Sequence, residues 1–283
     1  MKKLFALCLA AVLVSSSLIG CEMNERDRDR DRDRDDNDDG YATSEPLYSE
    51  EEVEELRAPL IEAYADIVKR RNENGNMKGI EREDYPDVSE DAFSTLYAAA
   101  VNGKGVIGYT ERDLNSDGVP EMILIDRNYA IYSILTIKDG EYMGILNGGD
   151  AFSNRQIAID SHNRIFFEGY SRGESTYRYI LELDGEGRLC GKMFGHYDQT
   201  GFGDPDVYNY LLIYDAEHPY CVRGPQTATS QRISDEELDE LVREYNKLCR
   251  ENYEGDEKYF TIQKVTESAN FDIKYVIEVG QPK

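Results

Sequence analysis

The sequence predicts an α+β fold, with helices at the start and near the end of the globular part and antiparallel strands between them. Two observations carry this expectation. Apolar residues recur at helical spacing after Ser49 and after Ser234, whereas from Gly105 to Tyr214 they fall in short runs cut by tight-turn residues. Helices and strands that are grouped along a chain, not alternating, argue for α+β over α/β.

Ser49-Glu50-Glu51-Glu52 has the Ser-x-x-Glu form of a capping box, in which hydroxyl and carboxylate each satisfy one of the helix's free amides. Val53, Leu56, Leu60, Ile61, Tyr64, Ile67 and Val68 follow at three- and four-residue spacing. They predict an amphipathic helix, with a restart open at Pro59 and an end at Asn74-Gly75. Ser89–Ala100 reads as a second helix. Met122–Asp126, Ala130–Ile137, Tyr142–Leu146, Gln156–Ile159, Arg164–Tyr170, Thr176–Leu183, Arg188–Phe194 and Tyr208–Tyr214 read as strands. Lys138-Asp139-Gly140, Asp160-Ser161-His162-Asn163 and Asp184-Gly185-Glu186-Gly187 punctuate them with hairpin chemistry, which predicts an antiparallel meander. Ser234-Asp235-Glu236-Glu237 is a second capping box, and Leu238, Leu241, Val242, Tyr245 and Leu248 give its helix an apolar stripe. Tyr259–Val265 and Phe271–Val279 read as two closing strands. Residues 48–283 are expected to form one domain.

The N-terminus reads as an export signal over residues 1–20. Lys2 and Lys3 precede an apolar run, Leu4–Val14, and then Ser15–Ser17. The run is short for a membrane span, which takes about 20 apolar residues. Leu18-Ile19-Gly20-Cys21 resembles the bacterial lipobox. That resemblance implies a diacylated Cys21, cleavage just before it, and a lipid anchor on the extracytoplasmic face of a cell membrane. Residues 22–40 (EMNERDRDRDRDRDDNDDG) carry almost nothing apolar, so the 26 residues from Glu22 to Leu47 read as a disordered charged spacer, domain boundaries falling at 21–47. Its coil span is about 28 Å.

Without residues 1–20 the chain has 30 basic and 57 acidic residues, a formal charge of −27. Nucleic acid, which needs a basic footprint, is an unsuitable partner. Divalent cations and basic partners suit such a surface better. Cys190, Cys221 and Cys249 allow at most one bridge among themselves.

The most specific internal feature is Asp113-Leu114-Asn115-Ser116-Asp117-Gly118-Val119-Pro120-Glu121. Oxygen-bearing side chains stand at positions 1, 3, 5 and 9, with Gly118 at the sharp turn. Asp113, Asn115, Asp117 and Glu121 can offer side-chain oxygens and Val119 its carbonyl to a hard Ca²⁺. The loop lacks the glutamate at position 12 that completes an EF-hand, since Leu124 stands there and a strand follows. It resembles the short Asp-x-Asp/Asn-x-Asp-Gly-x-x-Asp/Glu calcium loops between strands of integrin-like propellers, although one copy does not make a propeller. The stretch Tyr109–Ile125 also resembles a family of uncharacterised bacterial surface lipoproteins, in which a tyrosine-bearing strand leads into such a loop and then an aliphatic strand. That family lends no activity. A polar turn without metal is the competing reading of the same residues; bound calcium would be structural.

Catalytic signals are sparse. Gly169-Tyr170-Ser171-Arg172-Gly173 matches a nucleophile elbow by letter, but a strand-like run follows where a helix is required. Gly103-Lys104-Gly105-Val106-Ile107-Gly108 lacks the preceding strand of a dinucleotide site. His196 with Asp198 is a weak acid–base candidate, and no zinc spacing occurs. The expectation is therefore a lipid-anchored binding, adhesion or structural module with a protein or glycan ligand. The alternative is an envelope hydrolase whose paired carboxylates, about 5 to 9.5 Å apart, no pattern singles out.

Overall fold

A computed structural model describes residues 48–102, 107–147, 156–170, 176–198, 207–220 and 228–276. The export signal, Cys21 and the spacer lie outside the described residues, as do Cys221, Ser171 and the Gly103–Gly105 segment.

Helix α1 spans Glu50–Asn74 and α2 spans Glu90–Asn102. Both arms of the expected capping box form: the Glu52 amide donates to Ser49 Oγ at 3.3 Å, and the Ser49 amide donates to Glu52 Oε2 at 2.8 Å. Such a cap contributes about 1 kcal/mol. No restart occurs at Pro59, which sits inside a continuous helix. Its ring removes one backbone hydrogen bond, but Leu60, Ala63, Tyr64, Ile67 and Val68 downstream are all buried. Gly75, at φ 67°, ends the helix in the left-handed region that favours glycine.

The strands are β1 (Ile107–Arg112), β2 (Glu121–Asp126), β3 (Ile131–Lys138), β4 (Glu141–Asn147), β5 (Gln156–Ile159), β6 (Ile165–Tyr170), β7 (Thr176–Leu183), β8 (Leu189–Asp198), β9 (Val207–Tyr214), β10 (Thr229–Ile233) and β11 (Lys274–Tyr275). Among the described residues they form one antiparallel sheet in the order β10-β9-β8-β7-β6-β5-β3-β2-β1-β11, with β4 on β3. With its helices this is an α+β fold. The Asp139-Gly140 turn between β3 and β4 takes φ 53° and 80°, the paired positive values of a two-residue hairpin. After β10 comes α3 (Asp235–Cys249), capped by Ser234 and Glu237 as expected.

The C-terminal tail departs from its expected strands. Tyr259–Val265 holds the end of a 3₁₀ turn (Glu257–Tyr259) and the start of a short helix, α4 (Gln263–Ser268). Ile262, Val265 and Thr266 are buried at helical spacing, and Thr266 Oγ1 accepts the Ile159 amide of β5 at 3.2 Å. Of the expected strand Phe271–Val279 the described residues reach 276, and among them only β11 is strand, paired with Gly108 and Tyr109 of β1. Cys190 and Cys249 are free thiols.

Three cores divide the packing. Helices α1 and α2 cover Met122, Leu124, Leu135, Ile137 and Tyr142. Helices α3 and α4 cover Ala158, Phe166, Ile180 and Phe194. The third core contains no helical residue: Ile123, Ile125, Ile134, Ile157, Ile165, Phe167, Tyr179, Leu181 and Tyr214 meet one another. The sheet therefore bends over its own inner face, with the helices outside. In a flat sheet β2 and β7, four strand spacings apart, would stand about 19 Å from each other. Here the side chain of Asn115, in the loop before β2, donates to the carbonyl of Asp184, just after β7, at 3.0 Å.

Candidate functional site

Residues 113–121 join β1 to β2 and sit where the folded sheet meets itself. Two apolar side chains seat the loop. Leu114 (5% exposed) enters the inner core, and Val119 (3% exposed) enters the core under α1 and α2. The pattern of oxygen donors had not revealed this packing role of Val119. Ser116 and Gly118 take φ 60° and 86°, and this left-handed backbone turns the chain sharply enough for its amides to face its own carboxylates.

Asp113 accepts the amides of Asp117, through Oδ1 at 3.2 Å, and of Gly118, through Oδ2 at 3.0 Å. Asp117 Oδ1 accepts the Val119 amide at 2.7 Å, and its Oδ2 accepts Asn115 Nδ2 at 2.9 Å. Glu121 is fully buried; its carboxylate accepts the Leu114 amide at 2.8 Å and the Thr136 hydroxyl at 2.9 Å. Burial pushes the Glu121 carboxyl up to about 7. The Leu114 amide and Thr136 hydroxyl oppose the rise, and the nearby Asp117 charge adds to it.

Neighbouring turns hold the loop from outside. Asn163 Nδ2, in the β5–β6 turn, donates to the carbonyls of Asp113 at 2.9 Å and Leu114 at 3.3 Å. Arg112 Nη2 donates to the Ser161 carbonyl at 2.9 Å. Asn163 Oδ1 is buried without a hydrogen-bond partner among the described residues, an acceptor that a water or a cation could satisfy.

All the expected ligand residues thus share one loop, and their oxygens suit a hard cation better than a soft one. Asp113, Asn115, Asp117 and Glu121 would hold Ca²⁺ with the Val119 carbonyl, and the ion would supply positive charge and cross-linking. The carboxylates are nevertheless spread along the turn and engaged by its own amides. Among the described residues, no three Asp, Glu, His or Cys side chains converge as a ligand cluster. None of Asp113, Asp117 and Glu121 forms an ion pair with a basic side chain there either.

The acid–base candidates His196 and Asp198 stand two residues apart on β8, on the same face of the strand. His196 Nδ1 lies 2.8 Å from Asn209 Oδ1, and Asn209 Nδ2 donates to Asp235 Oδ1 at 2.6 Å, a chain running from β8 to the first turn of α3. A polar recess of about 430 Å³ beside α4 is lined by two carboxylates, Asp126 and Glu267. Asp126 is engaged by two backbone amides and the Tyr132 hydroxyl, and Glu267 by Lys264, so neither is presented as a free acid or base. No helix among the described residues is long and apolar enough to cross a membrane. No protein-family model, no curated protein and no solved structure matches the chain.

Proposed function

We propose that this chain is an extracytoplasmic lipoprotein, anchored through Cys21, whose domain works by binding and whose Asp113–Glu121 loop is a calcium-responsive clasp across the folded sheet. One observation supports the clasp: the loop brings three carboxylates to the seam of the sheet, and among the described residues no basic side chain is paired to any of them. A divalent cation would balance that charge where the loop meets the β5–β6 and β7–β8 turns. Its role would be structural, because the carboxylates are already held by backbone amides. The anchor rests on Leu18-Ile19-Gly20-Cys21, and the 26-residue spacer would carry the domain clear of the membrane.

Calorimetric titration of the purified chain with Ca²⁺, alongside Asp117→Ala, tests the clasp. An extracellular-type site binds at roughly 10⁻⁴ to 10⁻³ M. Saturation then raises the melting temperature by mass action, and Asp117→Ala abolishes the rise. A silent calorimeter with an unchanged melting temperature sinks the clasp. The anchor is read by labelling cells with palmitate: Cys21→Ala loses the label and leaves the membrane fraction, and a variant that keeps both removes the lipid reading.

A further inference from the structure

Beside the loop, but separate from its carboxylates, runs a groove between the β3–β4 hairpin and the β7–β8 turn. Its volume is about 220 Å³, and its lining includes Met143, Ile145, Leu189 and Tyr220, with Lys138 and Arg188 also on its walls. Both walls hang from the loop. On one side Thr136 is bonded to Glu121; on the other the Asp184 carbonyl is bonded to Asn115.

The walls state what could enter. Met143 leaves 37% of its surface exposed, so with Ile145 it offers apolar surface to whatever enters the groove. Arg188 is already bound by Asp184 and Glu186. Asp91, also on the wall, accepts the Gly144 amide at 2.7 Å. Lys138 has no ion pair among the described residues, although the chain carries 57 acidic against 32 basic residues. An unpaired ammonium beside an apolar floor asks for an anion attached to an apolar body. The volume falls below the roughly 300 Å³ at which drug-sized sites begin, so that body is small.

We propose that this groove binds a small anionic amphiphile, one or two rings or a short chain bearing a carboxylate or sulfonate, with the anion on Lys138 and the apolar part over Met143 and Ile145. The proposal rests on the binding reading in supposing that the domain has a ligand; it does not rest on calcium.

Fluorescence titration of the purified chain in EDTA tests it with two two-ring probes, anionic naphthalene-1-sulfonate and neutral 1-methylnaphthalene. The anionic probe should bind saturably, near one equivalent, and more tightly than the neutral one. Lys138→Glu should weaken the anionic probe by up to about fivefold, the worth of one exposed charge pair, and leave the neutral probe unchanged. Met143→Asp should weaken both. Lys138 and Met143 are surface residues, so circular dichroism should be unaltered in either variant. Absence of saturable binding, equal affinity for the two probes, or an anionic affinity unmoved by Lys138→Glu overturns the proposal. Calcium calorimetry on the same sample separates the two ideas: probe binding without calcium heat removes the clasp and keeps the groove, and calcium heat without probe binding does the reverse.

Discussion

Two kinds of aspartate-anchored turn lie side by side in this molecule, and they balance charge differently. In the β5–β6 turn Asp160 accepts the amides of His162 and Arg164 at 2.9 Å each, and Arg164 Nε donates to its other oxygen at 2.6 Å. The β7–β8 turn repeats this arrangement: Asp184 accepts the Glu186 and Arg188 amides at 3.0 and 2.9 Å, and Arg188 Nε donates at 2.8 Å. Asn163 and Gly187 hold equivalent left-handed positions, at φ 65° and 71°. Each of these turns carries its own arginine. The Asp113–Glu121 loop uses the same amide-to-carboxylate bonding but has three carboxylates and, among the described residues, no basic partner. The difference teaches that amides can shape such a turn by themselves, as at buried Asp126, which accepts the Asn128 and Ala130 amides with no basic side chain paired to it among the described residues, and that a balancing charge has a separate source. In the two hairpins that source is the residue four positions on; in the loop it would be an ion.

The comparison breaks first at the self-sufficient turns. Asp160 is 2% exposed, so Asp160→Ala strands two amides and half-frees Arg164 in a buried place. The expected cost is about 2 to 4 kcal/mol, a fall of roughly 4 to 16 °C in melting temperature. The fall should be the same in calcium and in EDTA. Asp117→Ala is the counterpart in the loop. In EDTA it removes the bonds from Val119 N and Asn115 Nδ2, costing about 1 to 2 kcal/mol. It should also lose the calcium increment, about 1.4 to 2.7 kcal/mol at 10 to 100 times the dissociation constant. A calcium-dependent loss in Asp160→Ala would erase the distinction.

The two turns also show how far local sequence reaches. Both capping boxes and the α1 stripe were legible because each signal lies within a few residues and one turn of helix. The hairpins were legible as turns, but their shared plan was not. The residues between the aspartate and the left-handed position differ, Ser161-His162 in one and Gly185-Glu186 in the other, and the common aspartate and the arginine four positions on are two isolated letters until the backbone brings them together. The tail was misread because Phe260 and Ile262 alternate like strand residues, whereas burial follows Ile262, Val265 and Thr266. Strand β10 gave no signal at all: Thr229–Arg232 is polar and exposed at the sheet's end. The loop's donors could be read by spacing. Its seat could not, because the bonds that place it span 69 residues for Asn115 to Asp184 and 50 for Asn163 to Asp113.

A buried carboxylate without a basic partner leaves a mark on pH dependence, and this sharpens the comparison further. Glu121 rises from 4.5 to about 7 in the folded chain, so the native state holds the proton more tightly than the unfolded one. Its stabilising contribution is therefore full below about 4.5 and lost as pH rises through about 7. In EDTA the unfolding free energy should climb as pH falls from 8 to 5, by at most about 1.4 kcal/mol per pH unit for one proton, and the melting temperature with it. Glu121→Gln should flatten this limb. The hairpin behaves oppositely. Burial alone would raise Asp184, but the Arg188 amide and guanidinium hold it below the usual carboxylate range. Its contribution is present above about 4 and disappears as pH falls through its depressed value. A stability maximum between the two limbs is expected in the parent chain. If Glu121→Gln leaves the upper limb in place, some other group than the loop carboxylate is responsible for it.

The smallest expected effect concerns the contact between the two kinds of turn. Asn163 serves its own hairpin with a left-handed backbone and serves the loop with its amide. Asn163→Gly keeps the first role, since glycine adopts φ 65° freely, and deletes the second. The loss of the bonds to Asp113 and Leu114 carbonyls is worth about 1 kcal/mol, and part of it is returned because the partnerless Oδ1 goes as well. Global melting should therefore hardly move. Hydrogen exchange at the Asp117, Gly118 and Val119 amides should accelerate in EDTA, and calcium should restore their protection if the ion clasps the loop. Faster exchange along the whole of β5 and β6 as well would mean that Asn163 supports its own hairpin more than its neighbour, and that the loop is held chiefly by Leu114 and Val119 in the two cores.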